Sequence, residues 1–214
     1  MRTSAGAVAC AAVAAAAPAH AEWFAAAYLG GAHTIDSDLT VSQPDGVHLF
    51  RGVPWESRSF ESPPYYGVQF GTYFAAGGAF GLRVDFCHDK VFAQRSLAPT
   101  LDRFSLSHGL NSVTLDALVR HRWNRLALYG GAGFGTIVPH VEAITAAGSV
   151  DEYQWFRGIA AKALAGVSVD IAGPLAAFAE VRATWIRAWV DIPGGDARAS
   201  FFTEHASLGV MLRL

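Results

Sequence analysis

Three short stretches of this chain carry the residues with chemistry to offer. His88, Asp89 and Lys90 are consecutive, His108 and Asn111 follow, and Pro139-His140-Val141-Glu142 comes third. Histidine gathered with carboxylate is what a metal site or a general acid/base pair requires. The spacing fits no compact metal motif. Solvated residues on the rim of outer loops would give the same pattern, so both readings stay open. His33, Glu204 and His205 are expected near the same group, around the seam of the fold. Ser107 and His108 are adjacent, which in a strand turns them to opposite faces, and no serine from another strand is indicated for a triad. Cys87 is expected to be an inert thiol.

Strands must position these groups. From Leu82 to Phe86 the chain alternates, with Leu82, Val84 and Phe86 on one face and Arg83, Asp85 and Cys87 on the other. Apolar residues outward and charges inward suit a barrel in lipid. At His88-Asp89-Lys90 the alternation fails, so the strand is leaving the hydrocarbon for a site. Similar stretches are Glu22 to His33, Tyr65 to Phe74, Gly78 to Phe92, His108 to Trp123, Leu126 to Glu142, Trp155 to Ile171, Pro174 to Asp191 and Ser200 to Leu214. The expected fold is all-β: an eight-stranded antiparallel transmembrane β-barrel of the outer membrane. Links at 75–77, 124–125 and 172–173 are short, and those at 34–62, 93–107, 143–154 and 192–199 are long, as periplasmic turns and outer loops should be. Aromatics such as Trp23, Tyr66, Trp123, Trp155 and Trp185 gather near strand ends, as interfacial belts require. Gln69, Arg83, Asp85, Asp116, Arg120, Lys162, Glu180 and Arg182 fall in the lumen, where confined charges must pair with one another.

Composition agrees. Residues 1–21 read as a secretory signal peptide: Arg2, an Ala/Val-rich run, then Ala19-His20-Ala21 as a small-x-small cleavage site. The barrel domain is residues 22–214. Cleavage removes Cys10 and leaves Cys87 without an intrachain partner. A hydrophobic content of 52% with 22 glycines is too apolar for a soluble sandwich, yet no run after residue 21 is long enough for a spanning helix. The net charge of −2 becomes −3 without Arg2 and excludes a nucleic-acid footprint. Arginine outnumbers lysine 14 to two, which suits contact with anionic head groups.

Several segments carry a resemblance: Trp55-Glu56-Ser57-Arg58-Ser59-Phe60, Ser62-Pro63-Pro64-Tyr65-Tyr66-Gly67, Phe86-Cys87-His88-Asp89-Lys90-Val91-Phe92, His108-Gly109-Leu110-Asn111 running to Arg120, and Pro139-His140-Val141-Glu142. Together and in this order they resemble the lipid A oxidases of rhizobial-type bacteria. The resemblance covers most of the chain after residue 21. It implies an outer-membrane barrel that oxidises the proximal glucosamine of lipid A to aminogluconate, with dioxygen as oxidant and peroxide as product. Cys87 and Asp116 depart from the expected Thr and Asn. On this reading His88, His140 and Glu142 are the catalytic candidates, and Arg58, Lys90, Asn111 and Arg120 hold substrate oxygens. The cofactor stays open, with a divalent metal at His88, His108 and His140 as the candidate. Expected partners are lipid A and the surrounding outer-membrane lipid, with a monomeric barrel. The alternative is a non-catalytic surface barrel of structural, adhesive or porin-like type.

Overall fold

The computed structural model describes residues 21–94, 97 and 99–214, so the signal-peptide assignment and Cys10 lie outside the described residues, apart from Ala21. β1 (Glu22–Thr34) rises to the outer end, and the excursion after it holds β2 (Ser37–Gln43), β3 (Gly46–Val53) and β4 (Trp55–Glu56). β5 (Tyr66–Phe74) descends and β6 (Phe80–His88) rises, followed by β7 (Val91–Ala93) and β8 (Arg103–Leu106) in a second excursion. β9 (Ser112–Trp123) descends and β10 (Leu126–Ile137) rises to a third excursion with β11 (His140–Thr145) and β12 (Gly148–Tyr153). β13 (Gly158–Ala172), β14 (Leu175–Ile192) and β15 (Gly195–Arg213) complete the chain.

Eight of these strands form the barrel, in the order β1-β5-β6-β9-β10-β13-β14-β15, and antiparallel pairing of β1 with β15 from Phe24↔Arg213 to Thr34↔Thr203 joins the two ends. Every barrel strand therefore has a partner on both sides, which is what a β-structure needs in hydrocarbon. Val68, Phe70, Leu82, Val84, Leu115, Val181 and Leu208 are all exposed on the outer wall. An apolar outer wall over a charged interior has no stable place in water, so lipid is its solvent. Trp23, Phe74, Phe80 and Trp123 ring one end, and Tyr66, Trp155 and Trp185 lie toward the other, all exposed.

The lumen is layered. At the periplasmic end Phe24, Tyr73, Phe178 and Met211 form a buried apolar cluster, and inward glycines make room for such rings. A Cβ at Gly67 would strike the Tyr28 ring, and one at Gly209 the Phe178 ring. Above it lies the expected ion network. Arg83 donates to Asp116 at 2.9 Å and Glu180 at 2.7 Å, Arg182 reaches Asp85 at 3.0 Å and Glu180 at 2.8 Å, and Lys162 binds Asp85 and Asp116. Three cations thus meet three anions, and the layer is neutral.

The outer excursions differ from the expected loops. β4, β7, β8, β11 and β12 form a second sheet in the order β12-β11-β8-β7-β4, while β2 and β3 extend the barrel sheet beside β15. β14 and β15 run on past the membrane to a turn at Pro193-Gly194, pairing as far as Ile192↔Gly195 where a loop over 192–199 was expected. The reason is a second apolar core. Ile186, Val190 and Phe201 on these extensions pack with Trp55, Phe104, Leu106 and Val141 of the second sheet. The outer end is therefore a folded cap.

Candidate functional site

The stretch Gly81–Phe92 divides at the site, with β6 ending at His88 in the barrel and β7 starting at Val91 in the cap sheet. The segment 108–111 threads between the outer ends of β6 and β10: Leu110 N–H donates to Asp89 C=O at 2.6 Å, and His140 and Val138 N–H to the carbonyls of Gly109 and Asn111. Gly109 has φ of 118°, and a Cβ there would collide with the Asn111 side chain.

His108, His140 and Glu142 come together, each with a ligand atom within 4.8 Å of the others. His108 Nδ1 is 3.2 Å from Glu142 Oε1, and the two imidazole rings are edge to face with centroids 4.7 Å apart. The arrangement follows from pairing in the cap sheet. Glu142 lies opposite Ser105 of β8, and His140 opposite Tyr153 of β12. Val141 and Ala143 enter the cap core, so His140 and Glu142 project from its other face. They therefore do not point into a concavity above the lumen network.

Groups that the sequence did not reveal hold the cluster. Arg103 binds Glu142 Oε2 at 2.7 Å, Ser107 Oγ donates to Glu142 Oε1, Asp151 Oδ1 is 3.4 Å from His140 Nε2, and the Tyr153 hydroxyl donates to the His108 carbonyl at 3.3 Å. Burial, the largest influence, works to raise the Glu142 carboxyl, but the Ser107 hydrogen bond and the Arg103 charge outweigh it and hold the group below its ordinary range. Burial, then the neighbouring His108, lowers His140. A neutral imidazole beside a carboxylate results. Ser107 and His108 lie in the turn after β8, so the opposite-face expectation does not apply, and Ser107 Oγ is 3.2 Å from His108 Nδ1. Serine and Glu142 thus approach the same ring nitrogen. A triad needs them on different nitrogens.

The other expected site residues lie elsewhere. His88 is 3% exposed, stacks on Tyr66 and donates from Nδ1 to Asn111 Oδ1 at 2.8 Å, while Asn111 donates onward to Val138 C=O at 3.2 Å. The structure does not bring His88 into the His108–His140–Glu142 group. Lys90 donates from Nζ to Glu61 C=O at 3.0 Å, and Arg58 pairs with Glu56 and covers the Phe92 ring. Arg58 follows β4 and Lys90 precedes β7, strands toward the opposite edge of the cap sheet from β11 and β12. Arg120 requires a correction. It chelates Glu22 with two 2.9 Å hydrogen bonds and covers Tyr73 at the periplasmic mouth, because β9 runs inward from Ser112 and carries it roughly 26 Å along the strand at ~3.3 Å per residue. It cannot share a substrate with the cap. His33 pairs with Glu204 on the exposed wall, and His205 is buried inside. Cys87 is a free, buried thiol 3.4 Å from the Tyr65 hydroxyl.

Asp89 is the outlier beside this site. Its Oδ1 accepts the Lys90 N–H at 2.8 Å, its Oδ2 has no hydrogen-bond partner among the described residues, and burial pushes the carboxyl up to about 7. The folded chain therefore holds a proton that the unfolded chain releases near pH 4. This contribution to stability is complete below about pH 4 and is lost as pH rises through 7, at a cost of about 4 kcal/mol. Asp89→Asn is expected to flatten that decline and to raise the urea midpoint at pH 8, which unfolding titrations at several pH values would check.

A second group borders the cluster. Gln154 donates its N–H to Pro139 C=O, next to His140, and exchanges two 2.8 Å hydrogen bonds with the Asp191 backbone. Asp191 in turn pairs with Arg157, which lines an exposed hollow with Arg187, Arg198 and Trp189. Arg198 likewise pairs with Asp196 at 2.8 Å, so the hollow holds three guanidinium groups and two carboxylates beside Trp189.

No family model matches the chain, and no curated protein matches it. Among solved structures, Neisserial surface protein A is similar at 14% identity over 93% of this chain and all of that one (100%), with a TM-score of 0.47. Ail, the attachment invasion locus protein of Yersinia pestis, is similar at 14% identity over 88% of this chain and 97% of that one, with a TM-score of 0.31. Its complex with the heparin analogue sucrose octasulfate gives 15%, 88%, 98% and 0.32 in the same order. At these values the likeness carries no inference about activity or partners. The strand pairing and apolar wall of this chain themselves make it an outer-membrane β-barrel, with a folded outer cap.

Proposed function

We propose that the chain oxidises the proximal glucosamine of lipid A at the outer leaflet, with dioxygen as the oxidant. The observation that carries this reading is the convergence of His108, His140 and Glu142 on the exposed face of the cap sheet. The resemblance of the His88, His108 and His140 segments to lipid A oxidases supplies the substrate class. The hollow of Arg157, Arg187 and Arg198, in which Asp191 and Asp196 offset two of the three charges, keeps a net positive charge as the neighbouring contact for phosphate or carboxylate groups.

The chemistry requires a free anomeric hydroxyl. Glu142, or neutral His140, takes the hydroxyl proton as two electrons and the C1 hydrogen leave for dioxygen. The sugar becomes the lactone and dioxygen becomes hydrogen peroxide. Water then opens the lactone to the aminogluconate, for a net gain of one oxygen atom. Lipid A from a host lacking the activity, analysed by mass spectrometry with and without this gene, is expected to show that gain, together with peroxide release.

A second reading is the non-catalytic surface barrel. It is supported by the pairing of the cluster, since Glu142 already meets Arg103 and Ser107, and His140 faces Asp151. Such ties would serve simply to hold β8, β11 and β12 together. Exposed Val47, Leu49 and Phe60 on the cap would then meet a partner. Unchanged lipid A in a host where the barrel is folded and abundant selects this reading.

A further inference from the structure

We propose that His108, His140 and Glu142 bind one divalent first-row transition ion of the Fe2+, Co2+ or Zn2+ type, leaving coordination positions open for a second ligand. The inference builds on the reading of this cluster as the reactive centre, but its test needs no oxidation.

The first support is geometric. All three residues offer a ligand atom within 4.8 Å of the others, and His108 Nδ1 lies 3.2 Å from Glu142 Oε1. Metal bonds of about 2.0–2.2 Å place neighbouring ligand atoms about 3.0–3.4 Å apart. The observed pair already has that separation.

The donor set then selects the class of ion. Magnesium and calcium prefer oxygen ligands, whereas two imidazoles with one carboxylate suit iron, cobalt or zinc and leave positions open. Bound there, iron or cobalt would supply the redox couple that dioxygen needs to react with a sugar, whereas zinc, which has no redox chemistry, would act as a Lewis acid alone.

The third support lies behind the ligands. His140 Nε2 faces the Asp151 carboxylate at 3.4 Å, while its Nδ1 is buried with no hydrogen-bond partner among the described residues. A carboxylate on one ring nitrogen fixes the tautomer and presents the lone pair of the other to a metal. Arg103 holds the second oxygen of Glu142, and the pairing of β11 with β8 and β12 fixes the backbone beneath both ligands. Arg103 and Asp151 therefore act as positioning residues.

The test is titration of the refolded, chelator-stripped barrel with Co2+ and Zn2+, read by calorimetry and by the cobalt ligand-field bands. One ion per chain is expected. Asp151→Asn should weaken binding about 10- to 100-fold, His140→Ala and Glu142→Gln should weaken it further, and His121→Ala, near the periplasmic end of β9, should leave it unchanged. Heat-modifiable gel mobility establishes that each variant is folded. Failure of the folded wild type to bind one ion, or wild-type affinity in folded His140→Ala and Glu142→Gln, overturns the proposal. Stoichiometric binding with unchanged lipid A leaves the metal site standing and removes the oxidase reading alone.

Discussion

Methionine in place of Arg83 is expected to destabilise the folded barrel by about 3–5 kcal/mol, since removing one partner strands buried charges. Arg83 is 2% exposed, and its guanidinium joins Asp116 to Glu180 across the lumen. Without it, Lys162 and Arg182 face Asp85, Asp116 and Glu180, so one negative charge lies uncompensated between a ring-filled floor and an apolar cap. All three carboxylates are buried, at 2% exposure or less. Removing the excess anion as well, in Arg83→Met with Asp116→Asn, should recover part of the loss, because the two sites share a network and their effects do not add. Arg83→Lys should fall between, keeping the charge without the fork that spans two carboxylates. Urea unfolding midpoints in one lipid or detergent would order the four proteins. A single-variant midpoint equal to wild type would mean that the network fills the lumen without contributing to stability.

The barrel was legible because its alternation has one polarity throughout the membrane. Along β14, Val181, Ala183 and Trp185 face out while Arg182 and Thr184 face in, and β6 and β15 repeat the pattern. The cap was not legible because its polarity is inverted. Beyond Trp185 the inward residues are Ile186, Ala188, Val190 and Ile192, and Arg187 and Asp191 face out. Alternation continues through that switch, so the strand is read on to Asp191, but the inverted polarity hides the cap core, and the start of β15 at Gly195 is read as part of a loop. The switch itself marks where β14 leaves the lipid. The short strands β4, β7 and β8 span two to four residues, too few to show any period.

The site divides along the same line. His108, His140 and Glu142 could be named from their types, and the order β6-β9-β10 explains why their segments meet at one end. Arg103, Ser107 and Asp151 reach the cluster through β8–β11–β12 pairings that only the folded cap creates. His88 was grouped with them because sequence shows strand ends but not depth. The cap covers it and leaves it a structural bond to Asn111. Arg120 was grouped for the opposite reason, as part of a family-like segment whose strand carries it to the other mouth.

Glutamine at position 142 is expected to remove lipid A oxidation while leaving the barrel folded. The carboxylate is the one anionic group of the three-residue cluster, and Ser107 and Arg103 keep it charged. Glutamine preserves the side-chain shape and can still accept a hydrogen bond, but it can neither take a proton nor match Arg103 as an ion. Loss of this carboxylate, as the base or as a ligand of the proposed ion, is expected to cost about 10²- to 10⁴-fold in rate, enough to take the mass gain below detection in growing cells. Because Glu142 lies outside the apolar core, with Val141 and Ala143 supplying the packing of β11, the urea midpoint should change little. His88→Ala makes a useful contrast. It should loosen the 108–111 segment through Asn111 and lower both rate and stability, whereas Glu142→Gln lowers rate alone. Full oxidation by folded Glu142→Gln would remove this cluster as the reactive centre. Loss of oxidation in step with loss of the fold would reduce Glu142 to a structural tie between β8 and β11.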